Sequence, residues 1–213
     1  MTRRLWSSLL AVSLGGAALL LGSSARAEGD APAKAAHVHA PLPGSDGVYG
    51  RLDGNLALAL SAGAEVEAGE PRGALKLSAH YLWTAGVYAR YSDAFGSADQ
   101  RPSRVTSLGV DVRPLFLPRF ALDLQHGPAL LDLALDSFSL NAGAYFAQPQ
   151  HRDFGDERGF ETGIGLGVPL LGEARGPWLE ARAERRFADR GENAWLFTLS
   201  VAYYVLAWST DAQ

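Results

Sequence analysis

The sequence predicts an all-β protein, an antiparallel up-and-down β-barrel of about eight strands with one short helix in a turn. Residues 48–208 consist of successive runs in which bulky apolar residues alternate with small or polar ones, the period of a strand with two different faces. Turn segments rich in Gly, Pro and Asp separate the runs. Because no long amphipathic helix follows a run, crossover connections are not expected and the strands should pair antiparallel in chain order.

Two of these runs form a hairpin at residues 159–187, with its turn at residues 171–176. The bulky face of the outgoing run carries Phe160, Thr162, Ile164, Leu166 and Val168, and the other face carries Glu161, Gly163, Gly165 and Gly167. The bulky face of the returning run carries Leu179, Ala181, Ala183 and Phe187, and the other face carries Glu180, Arg182, Glu184 and Arg186. One face of the hairpin is therefore apolar, and the other consists of glycine and charges of alternating sign.

The direction in which the apolar face points decides the class of barrel. A soluble barrel packs bulky residues inward and exposes long polar side chains to water. A small membrane barrel is inverted, with bulky residues toward lipid and a narrow lumen of small and mutually neutralising side chains. The glycine and charge face of the hairpin fits a lumen, so we interpret the chain as a membrane barrel. A soluble periplasmic lipocalin-like barrel that binds a small apolar ligand in its cavity remains the alternative.

The other runs follow the same alternation and complete the predicted barrel. Residues 74–91 form one long run, which places Trp83 on the apolar face. Pro114 and Pro118 bracket an apolar connection that cannot be a central strand, and residues 127–137 have the leucine spacing of a short helix after Pro128. The predicted strands cover residues 48–66, 74–91, 107–113, 120–124, 139–148, 159–168, 178–187 and 194–208.

The chain begins with the features of a secretory signal peptide at residues 1–27. Arg3 and Arg4 precede an apolar run at residues 9–21, and a small-x-small cleavage site ends at Ala27. Residues 28–47 have the composition of a flexible linker, residues 48–208 form the barrel domain, and residues 209–213 are a C-terminal tail. His37 and His39 in the linker are interpreted as solvated side chains, because two ligands in a mobile segment bind metal weakly.

Charge and cysteine content exclude several function classes. Cleavage of the signal peptide removes three of the 19 basic residues and none of the 23 acidic ones, so the mature chain has a net charge of −7. We therefore expect no nucleic-acid partner. The chain has no cysteine, which excludes disulfides and thiolate zinc sites. The sequence predicts no metal site and no cofactor, and a monomer whose environment is the lipid bilayer; it does not identify a partner protein.

The candidate site is the polar face of the strands, which should line the lumen. Both signs of charge are present, so mutual neutralisation in a packed interior is favoured over an ion path. Arg185 is the one charged residue that the alternation places on the lipid face, where it would cost about 2–4 kcal/mol at mid-membrane but little near a rim. The predicted lumen network comprises Arg51, Asp53, Lys76, His80, Glu161, Glu180, Arg182, Glu184 and Arg186.

Aromatic residues near the ends of the predicted runs add a resemblance to a known class. Tyr49, Tyr91, Trp195 and Trp208 lie where a membrane barrel carries its interfacial aromatics. With the signal peptide and the small-residue lumen face, the chain resembles the small eight-stranded bacterial outer-membrane β-barrel proteins. This resemblance implies an outer-membrane location and a non-enzymatic structural or interaction role. A barrel-type lipid-modifying enzyme is the alternative, and it would need a serine paired with His80, His126 or His151.

Overall fold

A computed structural model describes residues 49–52, 54–95, 103–148, 154–189 and 192–207. The predicted signal peptide, linker and C-terminal tail lie outside these residues. The described chain forms ten elements: β1 (Leu56–Glu67), β2 (Glu70–Tyr81), β3 (Ala85–Asp93), β4 (Arg104–Val112), α1 (Phe116–Ala121), α2 (Ala129–Asp136), β5 (Ser139–Gln148), β6 (Glu157–Pro169), β7 (Gly176–Ala188) and β8 (Ala194–Ala207).

The eight strands form one closed barrel. Each strand pairs antiparallel with the next in the chain, and β8 pairs with β1 to close the sheet. The predicted fold class, an all-β up-and-down barrel, is therefore confirmed. The strands contain between nine and 14 residues, and a tilted strand needs about 9 to 11 to cross a bilayer. We call the end where β1 begins and β8 ends the terminal end, and the opposite end the loop end.

The apolar faces of the strands point outward. Leu60 and Val87 are 60% and 59% exposed, whereas Ala59 and Glu161 on the other face are 2% and 0% exposed. The same alternation of exposed and buried residues runs along all eight strands. The predicted membrane-barrel orientation is thus what the fold adopts. The lipocalin-like alternative required the apolar faces to point inward, which they do not.

The prediction of one strand over residues 74–91 is wrong, because the chain turns within it. The turn occupies residues 82–84 between β2 and β3, and Leu82 and Trp83 adopt positive φ angles of 45° and 59°. The Thr84 hydroxyl donates a hydrogen bond to the Tyr81 carbonyl oxygen at 2.9 Å. Because the turn has three residues, Tyr81 before it and Ala85 after it pair directly and lie on the same face. Outward-facing residues therefore have odd numbers in both strands. The alternation therefore continues through the turn, while Trp83 is directed into the barrel instead of toward lipid.

The prediction of a short strand beginning at Phe120 is also wrong. That segment belongs to α1, which with α2 makes up the connection between β4 and β5. The strand count is still eight, because the missed β2–β3 turn and the false strand compensate for each other. The helix predicted over residues 127–137 is confirmed as α2: Leu133 is buried while Leu131 is exposed, which strand alternation would not produce. Neither helix of the described residues is long and apolar enough to span a membrane.

The β6–β7 hairpin has the predicted turn and the predicted facing. Gly163 on β6 lies opposite Glu184 on β7. A Cβ atom on Gly163 would lie 2.4 Å from the Ala183 carbonyl oxygen and 2.6 Å from the Glu184 Cγ atom. Such distances are well inside van der Waals contact, so the residue has to be glycine. The glycines of β6 thus leave space in which the charged side chains of β7 lie across the lumen.

Candidate functional site

The lumen is filled by an ion-pair network whose centre is Arg90. Its guanidinium donates to a carboxylate oxygen of Glu184, and its second terminal nitrogen donates to Glu161 Oε2 at 2.6 Å. The Tyr88 hydroxyl donates to the other Glu161 oxygen at 3.0 Å, and the Asn141 amide donates to Glu184 Oε1 at 2.7 Å. Arg90 therefore joins β3 to β6 and β7 across the interior of the barrel.

Arg186 extends the network toward the loop end. Its Nε atom donates to Glu161 Oε2 at 3.1 Å and its Nη1 atom donates to Glu67 Oε2 at 3.0 Å. Glu67 also forms an ion pair with Arg72 at 3.0 Å. The guanidinium of Arg186 lies 5.2 Å from the centre of the Tyr145 ring, within the range of a cation–π contact. Each carboxylate is thus shared by more than one positive or hydrogen-bonding group.

A second set of pairs fills the lumen toward the terminal end. Lys76 donates to Glu180 Oε2 at 2.7 Å, and the Tyr204 hydroxyl donates to Glu180 Oε1 at 2.5 Å. Arg182 donates to Asp111 Oδ2 at 2.6 Å. The His80 imidazole, which is fully buried, has its Nε2 atom 3.5 Å from the other Asp111 oxygen. A cavity that holds no more than about one water molecule lies beside these pairs.

The charges of the described lumen are balanced. Six carboxylates face six positive groups, and every one of these residues is buried. Isolated buried charges would be costly, whereas paired charges with additional hydrogen bonds are tolerated. This balance supports a packed, neutralised interior. The carboxylates belong to Glu65, Glu67, Asp111, Glu161, Glu180 and Glu184, and the positive groups to Arg72, Lys76, Arg90, Arg113, Arg182 and Arg186.

Aromatic side chains close the lumen at the terminal end. Trp83, Trp178 and Tyr204 contact each other with ring centroids 5.0 to 5.6 Å apart. The guanidinium of Arg113 lies 4.4 Å from the centre of the Trp83 ring and donates to the Tyr204 hydroxyl at 2.6 Å. Phe116 of α1 is also buried in this cluster. We call these five residues the aromatic cap.

A polar cluster ties the two helices to each other and to the start of the described chain. Asp136 of α2 pairs with Arg51, and both side chains are fully buried. Arg119 of α1 donates to Asp136 at 2.7 Å and to Asp132 at 2.6 Å. The Tyr49 hydroxyl donates to the other Asp132 oxygen at 2.9 Å. These contacts fix α1 and α2 across the terminal end, beside the aromatic cap.

The helix pair gives a prediction for acidic pH. Burial opposes the charged form of Asp132, but hydrogen bonds from Arg119, Tyr49 and the Gly127 amide outweigh it and lower the pKa of the carboxyl. A lowered pKa stabilises the fold above the unfolded value of about 3.9, and this stabilisation is lost as the pH falls below it. We expect pepsin cleavage within residues 116–136 to increase between pH 4 and pH 2, after normalisation to a peptide substrate.

Two variants control this experiment. Asp132→Asn should already be cleaved rapidly at pH 4, because the ion pair with Arg119 is absent at every pH. Asp123→Asn, which changes a carboxyl with an 81% exposed side chain, should behave like the unmodified chain. Equal cleavage of all three chains at pH 4 would contradict a role of the Asp132 carboxylate in holding the helices.

The structure places the predicted site residues in two groups. Arg51 belongs to the polar cluster at the terminal end, Asp53 lies outside the described residues, and the other seven lie in the lumen. Sequence reasoning did not include Glu65, Glu67, Arg72, Arg90, Asp111 and Arg113 in the set, although all six are buried. For Glu65, Arg90, Asp111 and Arg113 the alternation was the available signal, because each has the parity of the lumen face of its predicted run. Glu67 and Arg72 lie between the predicted runs, where the alternation gave no signal.

The predicted interfacial aromatics also separate into groups. Tyr91 and Trp195 lie on the outer surface near the loop end, Trp208 lies outside the described residues, and Tyr49 packs against the aromatic cap. Arg185 lies on the outer face, as its parity predicts, with its guanidinium 5.4 Å from the centre of the Trp195 ring. The outer surface near the loop end carries further aromatics that the prediction did not include, namely Phe146, Phe160, Phe187 and Phe197.

Comparisons with known proteins find structural similarity only. No protein-family model matches the chain, and no curated protein matches its sequence. The β-barrel domain of Pseudomonas aeruginosa OprF is 11% identical over 71% of this chain and 99% of that chain, with a TM-score of 0.45. Neisserial surface protein A (NspA) is 12% identical over 71% and 96% of the two chains, with a TM-score of 0.40.

A third similar structure is Ail, the attachment invasion locus protein of Yersinia pestis. It is 12% identical over 70% of this chain and 96% of that chain, with a TM-score of 0.33. At sequence identities this low, the similarity concerns the fold alone. The strand pairing and the outward apolar faces described above establish the architecture of this chain independently. It has the fold of the small bacterial outer-membrane proteins, a closed eight-stranded antiparallel barrel.

Proposed function

We propose that this protein is a non-enzymatic β-barrel of the bacterial outer membrane, with a lumen filled by side chains and a structural or interaction role. The observation that carries this proposal is the inverted arrangement of the barrel. All eight strands expose apolar residues outward, and the described interior holds balanced, paired charges. In water this arrangement would expose an apolar surface around the whole barrel, which only a lipid environment covers.

Closure of the barrel supports the same environment. Lipid offers no hydrogen-bond partners to the backbone, so a spanning sheet must have no unpaired edge. The β1–β8 pairing extends over 12 residues of β1 and leaves no such edge. The predicted signal peptide, which stays a prediction, would supply the export that an outer-membrane location requires.

The lumen supports a structural role more than conduction. An ion that crossed the barrel would have to displace paired charges such as Arg90 with Glu184 and Arg182 with Asp111. At the terminal end it would also have to pass the aromatic cap. An eight-stranded barrel has an interior just wide enough for side chains to fill, so these contacts leave little space for a path.

The loop end supports an interaction role. Phe95, which follows β3, is 82% exposed, and Phe154, which precedes β6, is 51% exposed. Both residues lie outside the bounds of the strands, at the loop end. Apolar side chains exposed beyond the strands are available for contact with another molecule.

The lipid-modifying alternative has no support among the described residues. Among those residues no serine hydroxyl forms a hydrogen bond with either ring nitrogen of His80, so none is placed for activation by this imidazole. His126 is exposed and lies 3.6 Å from the Asp123 carboxylate. His151 lies outside the described residues. A change in lipid A chemistry on deletion of the gene would favour the enzyme over the proposed role.

Fractionation of cells that express the full-length protein tests the proposal. We expect the protein to sediment with the outer membrane, and its electrophoretic mobility to differ between unheated and boiled detergent samples, because a closed barrel resists detergent until it is heated. Recovery from the soluble periplasm with no mobility shift would contradict the proposal. The soluble fraction of a known periplasmic protein from the same cells provides the control for leakage.

A further inference from the structure

Arg185 is a positive charge on the outer surface of the barrel, where most side chains are apolar. It lies on the outer face of β7, opposite Thr162 of β6 and Trp195 of β8. Its neighbours on the same face of β7 are Ala183 and Phe187. The internal ion-pair network gives no reason for a charge at this position, because that network lies on the other side of the barrel wall.

The surroundings of Arg185 differ from those of other arginines near the loop end. Arg104 pairs with Asp93, and Arg158 pairs with Asp189, each with a nitrogen–oxygen distance of 3.3 Å. Among the described residues, no carboxylate lies within the 4.0 Å ion-pair distance of Arg185. Its guanidinium instead makes a cation–π contact with the Trp195 ring, at 5.4 Å from the ring centre. A guanidinium held over a ring keeps its N–H groups directed away from the ring, where they can donate to another group.

The depth of Arg185 matches the headgroup region of a bilayer. The residue lies three positions before the end of β7 at Ala188, which is about 10 Å along a tilted strand. A long arginine side chain spans much of that distance and can carry its charge to the interface. Trp195 lies opposite Arg185 at the same level, and Phe187 lies two residues nearer the end of β7, as expected of an interfacial girdle.

We propose that Arg185 and Trp195 form a binding site for the phosphate group of an anionic lipid in the leaflet that surrounds the loop end. This inference rests on the membrane location proposed above. The planar guanidinium can donate two parallel hydrogen bonds to phosphate oxygens. The Trp195 ring orients the guanidinium, and its exposed edge packs against the apolar part of the same lipid. The lipid phosphate thereby supplies the negative partner that Arg185 lacks among the described residues.

Native mass spectrometry of the detergent-solubilised protein, titrated with phosphatidylglycerol, tests this site. Arg185→Gln should bind the first phosphatidylglycerol about tenfold more weakly than the unmodified protein, the usual effect of losing a charged hydrogen bond. Arg185→Lys should be intermediate, because it keeps the charge but loses the fork of donors. Arg158→Gln is the matched control and should leave the affinity unchanged, because Arg158 is exposed at the same end but already paired with Asp189.

Two further measurements distinguish a lipid site from a site for free phosphate and from a failure of membrane insertion. Inorganic phosphate at millimolar concentration should not displace the lipid; displacement would identify a site for free phosphate and overturn the lipid proposal. Equal affinity of Arg185→Gln and the unmodified protein would overturn it as well. Insertion into vesicles of phosphatidylcholine alone, followed by the heat-dependent mobility shift, should be the same for all variants. Failure of the unmodified protein in that step would overturn the membrane location, and the lipid site with it.

Discussion

Replacement of Arg90 by alanine should lower the free energy of unfolding of the barrel by about 3–5 kcal/mol, the usual cost of removing one partner from a buried ion pair. Arg90 is 4% exposed and contacts the carboxylates of both Glu161 and Glu184. Its removal leaves two buried negative charges with fewer positive partners. Urea unfolding of the protein in lipid vesicles, followed by tryptophan fluorescence, measures this loss.

The matched control for Arg90 is Arg104→Ala. Arg104 also pairs with a carboxylate, but its side chain is 57% exposed, so its loss should cost no more than about 1 kcal/mol. Arg90→Lys should fall between these variants, since it restores the charge without the two-pronged geometry. Unchanged stability of Arg90→Ala together with a larger ion conductance in planar bilayers would contradict the structural role and favour an ion path through the lumen.

Replacement of Trp83 by alanine should also lower the free energy of unfolding by about 3–5 kcal/mol, as large-to-small changes of buried aromatic residues do. Trp83 is 1% exposed, and its ring contacts Trp178, Tyr204 and the guanidinium of Arg113. Removal of the ring leaves a cavity in the aromatic cap and takes the cation–π partner from Arg113. The same unfolding measurement detects the loss, with the intrinsic fluorescence corrected for the missing tryptophan.

Trp195→Ala provides the comparison for Trp83. Trp195 is of the same size but lies on the outer face, where it is 54% exposed. Its truncation removes interfacial contacts without creating an internal cavity, so the cost should be clearly smaller than for Trp83. Equal costs for the two tryptophans would contradict the conclusion that the terminal end is closed by a packed aromatic cluster.

Most of the barrel wall could be predicted from the sequence, because a strand with one face in lipid and one in a lumen has a strict period of two. The positions of Glu180, Arg182, Glu184 and Arg186 follow from that period and from the adjacent glycine-rich run. The β2–β3 turn could not be predicted in this way. It contains neither glycine nor proline, and its three residues preserve the parity of the flanking strands. The alternation of apolar and polar residues therefore gave no indication of this turn.

The ion pairs inside the lumen also could not be predicted from the sequence pattern. Parity tells which residues face inward, but it does not tell which acid meets which base, because the partners lie across the barrel. Arg90 and Glu184 are 94 positions apart. The same holds for Asp136 and Arg51, which are 85 positions apart and meet only because α2 folds back over the terminal end. Such pairs are set by closure of the sheet, not by local spacing.

The pairing of β1 with β8 has a consequence for how the chain reaches its folded state. The first strand obtains its second neighbour only from the last one, so a partly synthesised chain has two open edges at every length. In lipid those edges would hold unpaired backbone groups, and in water the apolar faces would drive aggregation. We therefore expect assembly to be nearly all-or-none. The complete polypeptide must stay unfolded and protected from self-association until its final strand is present.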